Sequence, residues 1–154
     1  MKRIRLTVAP SVIRQFRRAA IEAFPREHCS FLIGHDIEGV TTRDVSIQEL
    51  WAPSDVRKYA TTTRMPFQHH WFDEAANHAK EAGMDLVGAV HSHPYPFEEL
   101  KGMAFPDAAE SESDSQYFGW NKLNGICLLT QRADLSVRAR FRWWGPRVPV
   151  EMAR

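Results

Sequence analysis

Two short runs in this chain, Cys29-Ser30-Phe31-Leu32-Ile33-Gly34 and Leu86-Val87-Gly88-Ala89-Val90, are apolar throughout rather than alternating. A strand of that kind must be covered on both sides, so each run predicts a buried strand in a sheet with layers packed on either face. The covering layers are legible too. Pro10 opens a segment in which Val12, Phe16, Ala19, Ala20, Ala23 and Phe24 recur with helical spacing. Trp71, Phe72, Ala75, Ala76 and Ala79 repeat that pattern between Gln68 and Ala82, where Gly83 ends it. Ile4 to Val8, Val40 to Leu50, Ile126 to Thr130 and Leu135 to Trp144 read as further strands, and Asp107 to Leu123 as a helix closed by Asn124-Gly125. The Pro, Ser and Thr-rich stretch from Pro53 to Pro66 breaks regularity. Helices interleaved with buried strands imply an α/β fold, a mixed β-sheet flanked by helices. With 154 residues the chain forms one such domain over 1–154.

Composition narrows the function classes. Hydrophobic residues at 44% and charged ones at 25% exclude a disordered chain, and a net charge of +1 supplies no global field for nucleic acid or an anionic membrane. No apolar run approaches the roughly 18 residues of a membrane span. The start, Met1-Lys2-Arg3-Ile4-Arg5, lacks the apolar segment of a secretory signal, so a cytoplasmic protein with no membrane partner is expected. Cys29 and Cys127 sit inside apolar runs and read as buried small hydrophobes.

The second apolar run leads directly into His91-Ser92-His93-Pro94. Alternation along a strand puts His91 and His93 on one face, and Pro94 is expected to end the ladder just beyond them. Downstream, Ser111-Glu112-Ser113-Asp114 offers a carboxylate as third ligand. Two imidazoles and one carboxylate leave the fourth tetrahedral position of zinc open, which distinguishes catalytic from structural sites. Glu27 begins a buried strand, where an acidic residue has no packing reason to be, and is the candidate general base.

These residues resemble the JAMM or MPN-domain (JAB) zinc metalloproteases, a family that includes deubiquitinases and prokaryotic members found with ubiquitin-activation-like enzymes. The match covers most of the chain: Pro25, Glu27 and Phe31 to Gly34, then His91 to Pro94, then Ser111 and Asp114. The resemblance implies the layering shared with cytidine deaminases, zinc held by His91, His93 and Asp114, Glu27 activating water, and Ser111 helping to hold the oxyanion. It also implies hydrolysis of the peptide or isopeptide bond after the C-terminus of a ubiquitin-like protein. Partners would be that protein or its conjugate, with E1/E2-like enzymes of the same system, in settings that include bacterial antiviral defence. In this chain 20 residues separate His93 from Asp114, more than the family usually has. The excess forms an insertion at about 95–110, and it leaves Asp107 as the competing third ligand.

Other readings stand beside this one. Sulfur-carrier-protein adducts are an alternative substrate class, and a catalytically silent scaffold an alternative role. Phe97, Leu100, Met103 and Phe105 with Glu98 and Glu99 suggest either a substrate-gripping flap or a loop packed on the domain. Arg138, Arg140 and Arg142 alternate with apolar residues before Trp143-Trp144, which suits a charge-guarded edge strand better than a nucleic-acid-binding module. His28, His35, His69, His70 and His78 read as surface or helix-start histidines, and Arg14, Arg17 and Arg18 as a solvated helix face.

Overall fold

The computed structural model describes residues 2–63, 65–103, 122–145 and 150–153. In chain order these form β1 (Arg3–Val8), α1 (Pro10–Ala23), β2 (Cys29–Glu38), β3 (Thr42–Trp51), α2 (Val56–Tyr59), α3 (His69–Glu81), β4 (Asp85–Tyr95), α4 (Phe97–Leu100), β5 (Leu123–Gln131), β6 (Val137–Trp144) and β7 (Val150–Met152). One seven-stranded mixed sheet runs in the order β6-β5-β4-β2-β3-β1-β7. The pairs β2–β3, β2–β4 and β5–β6 are antiparallel, while β1–β3, β1–β7 and β4–β5 are parallel. Among the described residues no helix is long and apolar enough to cross a membrane.

The apolar runs lie where their composition requires, in the middle of the sheet. On one face Val12, Phe16 and Ala20 of α1 pack against Leu6, Leu32, Val45, Ile47 and Leu129. On the other, Trp71 and Ala75 of α3 close over Cys29, Phe31 and Ala89, with Phe67 inserted between. Trp71 is fully buried and satisfies its indole N–H by donating to Asp55 Oδ1 at 2.8 Å, so the large apolar body is buried without an orphaned donor. α3 ends as its sequence predicts, with Gly83 in the left-handed region at φ 69°.

Several predicted ends move, each for a packing reason. β2 does not stop at Gly34 but continues to Glu38. A Cβ at Gly34 would meet the Ser46 carbonyl oxygen at 1.8 Å, so the glycine serves a close approach of β3 beside the register shift at Ile33/Gly34. Of the helix expected over Asp107 to Leu123, residues 107–121 lie outside the described residues, while Leu123 and the Asn124-Gly125 pair expected to close it are buried inside β5. Gly125 is small because the Trp143 ring lies against it, 2.3 Å from where a Cβ would be. β3 begins at Thr42, two residues later than expected, since Val40 is 93% exposed. β4 passes through Pro94 to Tyr95: its ladder with β2 ends at His91 opposite Cys29, while its ladder with β5 continues to Tyr95 opposite Thr130. Pro94, which has no N–H, therefore sits beyond the last β2 partner.

At that ladder end Ser92 ties the two strands together. Its N–H donates to the His28 carbonyl at 2.9 Å, and its hydroxyl accepts from the His28 N–H at 2.9 Å. Ser92→Ala keeps the first bond and orphans the second donor, an expected loss of about 1–2 kcal/mol in urea unfolding; an unchanged midpoint would remove this strap from the account. Gly34→Ala forces a backbone collision rather than a lost contact, so its expected cost is larger, about 3 kcal/mol or more, read as a lowered Tm.

Candidate metal centre

Strand alternation delivers the two histidines as the sequence implies. His91 is 1% exposed and His93 half-buried, and their Nε2 atoms lie 3.0 Å apart with ring centroids at 4.9 Å. Two nitrogens each about 2.0–2.1 Å from one tetrahedral ion stand roughly 3.3 Å apart, so the Nε2 pair needs only a few tenths of an ångström of opening to fit a zinc-type cation. The donor chemistry fits as well, since neutral imidazole suits that metal. The Phe67 ring meets His91 edge-on at 5.9 Å and limits where that imidazole can turn.

Glu27 reaches the same strand end from the other side. After α1 the chain passes through a cis Phe24–Pro25 peptide, and the Glu27 N–H then donates to the Thr61 carbonyl at 2.8 Å. The next residue, His28, is the one strapped to Ser92, and Cys29 pairs with His91. Glu27 is 7% exposed. Its carboxylate acts on its surroundings: burial, and after it the Glu27 charge, push the Cys29 thiol above its ordinary range. Burial pushes the Cys127 thiol up to about 12. Both cysteines are free and buried, as small hydrophobes would be. Burial, reinforced by the Arg57 cation, holds the His28 imidazole below its ordinary value.

Ser111, Asp114 and the competing Asp107 lie outside the described residues. Among the described residues no group of three His, Cys, Asp or Glu is placed to hold a metal, so the described residues supply the imidazole pair but not a third ligand. Of the remaining histidines, His35, His69 and His70 are exposed, His70 3.4 Å from Asp55, and His78 is half-buried 2.6 Å from Glu49; His28, expected at the surface, is instead half-buried because its ring packs against Phe16 at 5.6 Å. Of the insertion, α4 is held by the Phe97 N–H donating to Gln131 Oε1 at 3.0 Å, with Lys101 over the Phe97 ring at 5.2 Å; Phe105 lies outside the described residues.

Two polar residues here escaped sequence reading. Ser92 looks like a spacer between histidines, and its strap depends on a partner 64 positions away. Asn124 resembles a turn residue because glycine follows it, yet it is buried in β5 beside Ala89, on the histidine face. Neither atom of its side-chain amide has a hydrogen-bond partner among the described residues.

The model of a family described as prokaryotic homologs of the JAB domain matches residues 9–98, a stretch that includes Glu27, His91 and His93. The solution structure of a protein from Desulfitobacterium hafniense is similar with a TM-score of 0.59 at 13% identity, over 96% of this chain and 92% of that one. The crystal structure of a JAB1/MPN domain protein from Archaeoglobus fulgidus is similar with a TM-score of 0.50 at 18% identity, over 96% and 98%. At these identities the two structures speak for the fold alone. No curated protein matches. With the family's pattern matched over more than half its length and the family's fold around it, the chain belongs to the prokaryotic JAB/MPN family.

Proposed function

We propose that this protein is a zinc-dependent hydrolase that cleaves the peptide or isopeptide bond after the C-terminus of a ubiquitin-like protein. The observation that carries the reading is the convergence of His91 Nε2 and His93 Nε2 at 3.0 Å, at the strand end where Cys29, two residues after the buried Glu27, pairs with His91. Family membership supports a hydrolase role in general. His91 and His93 would hold zinc, with Asp114 as the third ligand. Bound zinc supplies Lewis acidity, which polarises a carbonyl and brings the pKa of water toward about 7.

The chain's own groups do the rest. Glu27 accepts a proton from the attacking water and delivers it to the departing amine, a task suited to a carboxylate shielded from bulk solvent. The Ser111 hydroxyl donates to the oxyanion, a contribution of about 3 kcal/mol for one positioned donor. Ubiquitin-like proteins end in a flexible tail, and E1/E2-like enzymes of the same system would be the functional partners. The buried free thiols Cys29 and Cys127 support a reducing, cytoplasmic setting.

The test offers purified protein, with its metal content measured, a panel of ubiquitin-like and sulfur-carrier fusions whose masses are followed with and without chelator. Glu27→Gln is expected to retain zinc and lose at least about a hundredfold in turnover, whereas His91→Ala loses both metal and turnover. Asp114→Ala should release zinc and Asp107→Ala should not. A fully active Glu27→Gln enzyme, or wild-type protein that takes up no zinc, overturns the proposal.

A further inference from the structure

Among the described residues β6 ends the sheet, and its alternating sequence gives it two unlike faces. Phe141 and Trp143 turn inward onto the α1 core, while Arg138, Arg140 and Arg142 are exposed on the opposite face. Register places that basic row level with the histidines. Arg142 pairs with Ile126, which pairs with His91; Arg140 pairs with Leu128, which pairs with His93. Two strand spacings separate the rows, about 10 Å, and Ile126 and Leu128 between them are buried.

Among the described residues the row's charge is uncompensated. Toward the other end of the sheet strand-borne cations face carboxylates, Arg3 with Glu151 at 3.1 Å, Arg5 with Asp44 at 3.7 Å, and Arg43 with Asp36. Among the described residues Arg138, Arg140 and Arg142 have no such partner, and Arg142 is held in place over the Trp144 ring at 4.8 Å. Guarding an edge against self-pairing requires some charge, but not three cations of one sign in one row. Nucleic acid fits less well, because three cations give a weak phosphate grip, net charge +1 adds no field, and one face of Trp144 is already covered. Among the described residues no strand pairs with the outer edge of β6, and such an edge offers backbone groups to another strand, whose side chains then fall opposite the arginines.

We propose that β6 is a docking edge for an extended acidic segment of a protein partner, which adds as an eighth strand with carboxylates at alternate positions opposite Arg138, Arg140 and Arg142. This goes beyond the hydrolase reading and does not depend on the metal.

The test measures fluorescence anisotropy of a labelled peptide in which Glu alternates with Thr, titrated with the full chain. Controls are an isomer with its Glu residues contiguous and two forms N-methylated at alternate amides, one in each frame. The alternating peptide is expected to bind about tenfold tighter than the contiguous isomer, and R140E to weaken it about tenfold with its thermal melt unchanged. One N-methyl frame should abolish binding and the other leave it intact, a comparison that holds even if the R140E protein melts early. Absence of binding, equal binding of both isomers, or tighter Arg140-dependent binding of an oligothymidylate overturns the proposal.

Discussion

The ladder between β2 and β4 is the constraint on which both the fold and the site rest. Phe31 and Ala89 of these strands face α3, while Leu32 and Val90 face α1, so the pairing is locked from both sides. A slip of one residue would exchange every buried side chain between the two cores, which fixes register strongly where both faces are covered. That register puts Cys29 opposite His91 and so brings the lead-in segment of β2, with Glu27, to the strand end where the histidines emerge. The reciprocal bonds between Ser92 and His28 close the ladder at the point where ordinary pairing stops. Positioning of the imidazoles is thus a property of the sheet, while Glu27 is set by the loop that leads into it, through its N–H bond to the Thr61 carbonyl.

Aromatic packing transmits the same rigidity from the helix layer. Phe67 touches Phe31 at 6.1 Å, Trp71 at 6.1 Å and His91 at 5.9 Å, so one ring links the sheet, α3 and an imidazole. Trp71 is in turn anchored by Asp55. Edge-to-face contacts of this kind are directional, so the imidazole held by them has little freedom left to turn. The surroundings are also apolar enough to raise both buried thiols, so charge on Glu27 is felt there more strongly than it would be in water.

What the sequence made legible was whatever depends on composition and period. Uninterrupted apolar runs identified the central strands, helical spacing identified α1 and α3, and strand alternation sufficed to bring His91 and His93 to one face. Strand ends were not legible, because Gly34 and the Asn124-Gly125 pair look like breakers while Gly34 and Gly125 are in fact small to admit Ser46 and Trp143. A local reading cannot distinguish a glycine that turns the chain from one that makes room for a neighbour far away in sequence. The same limit hid Ser92, and the short α2, α4 and β7 are too brief to show any period.

The sheet divides its labour from one side to the other. Around β1, β3 and β7 opposite charges meet, and the strands hold one another; at β6 three like charges face outward with their counter-charges absent among the described residues. Like charges on alternate strand positions repel, so the row costs stability unless something of opposite sign comes to it. Because Arg140 and Arg142 share a face and a register with His93 and His91, whatever settles on β6 is oriented by the same pleat that orients the imidazoles. A partner strand added there would lie about 15 Å, three strand spacings, from the histidine strand. That is near enough for a segment tethered to the docked strand to reach the histidines, and far enough for the β6 edge and the histidine pair to be altered separately.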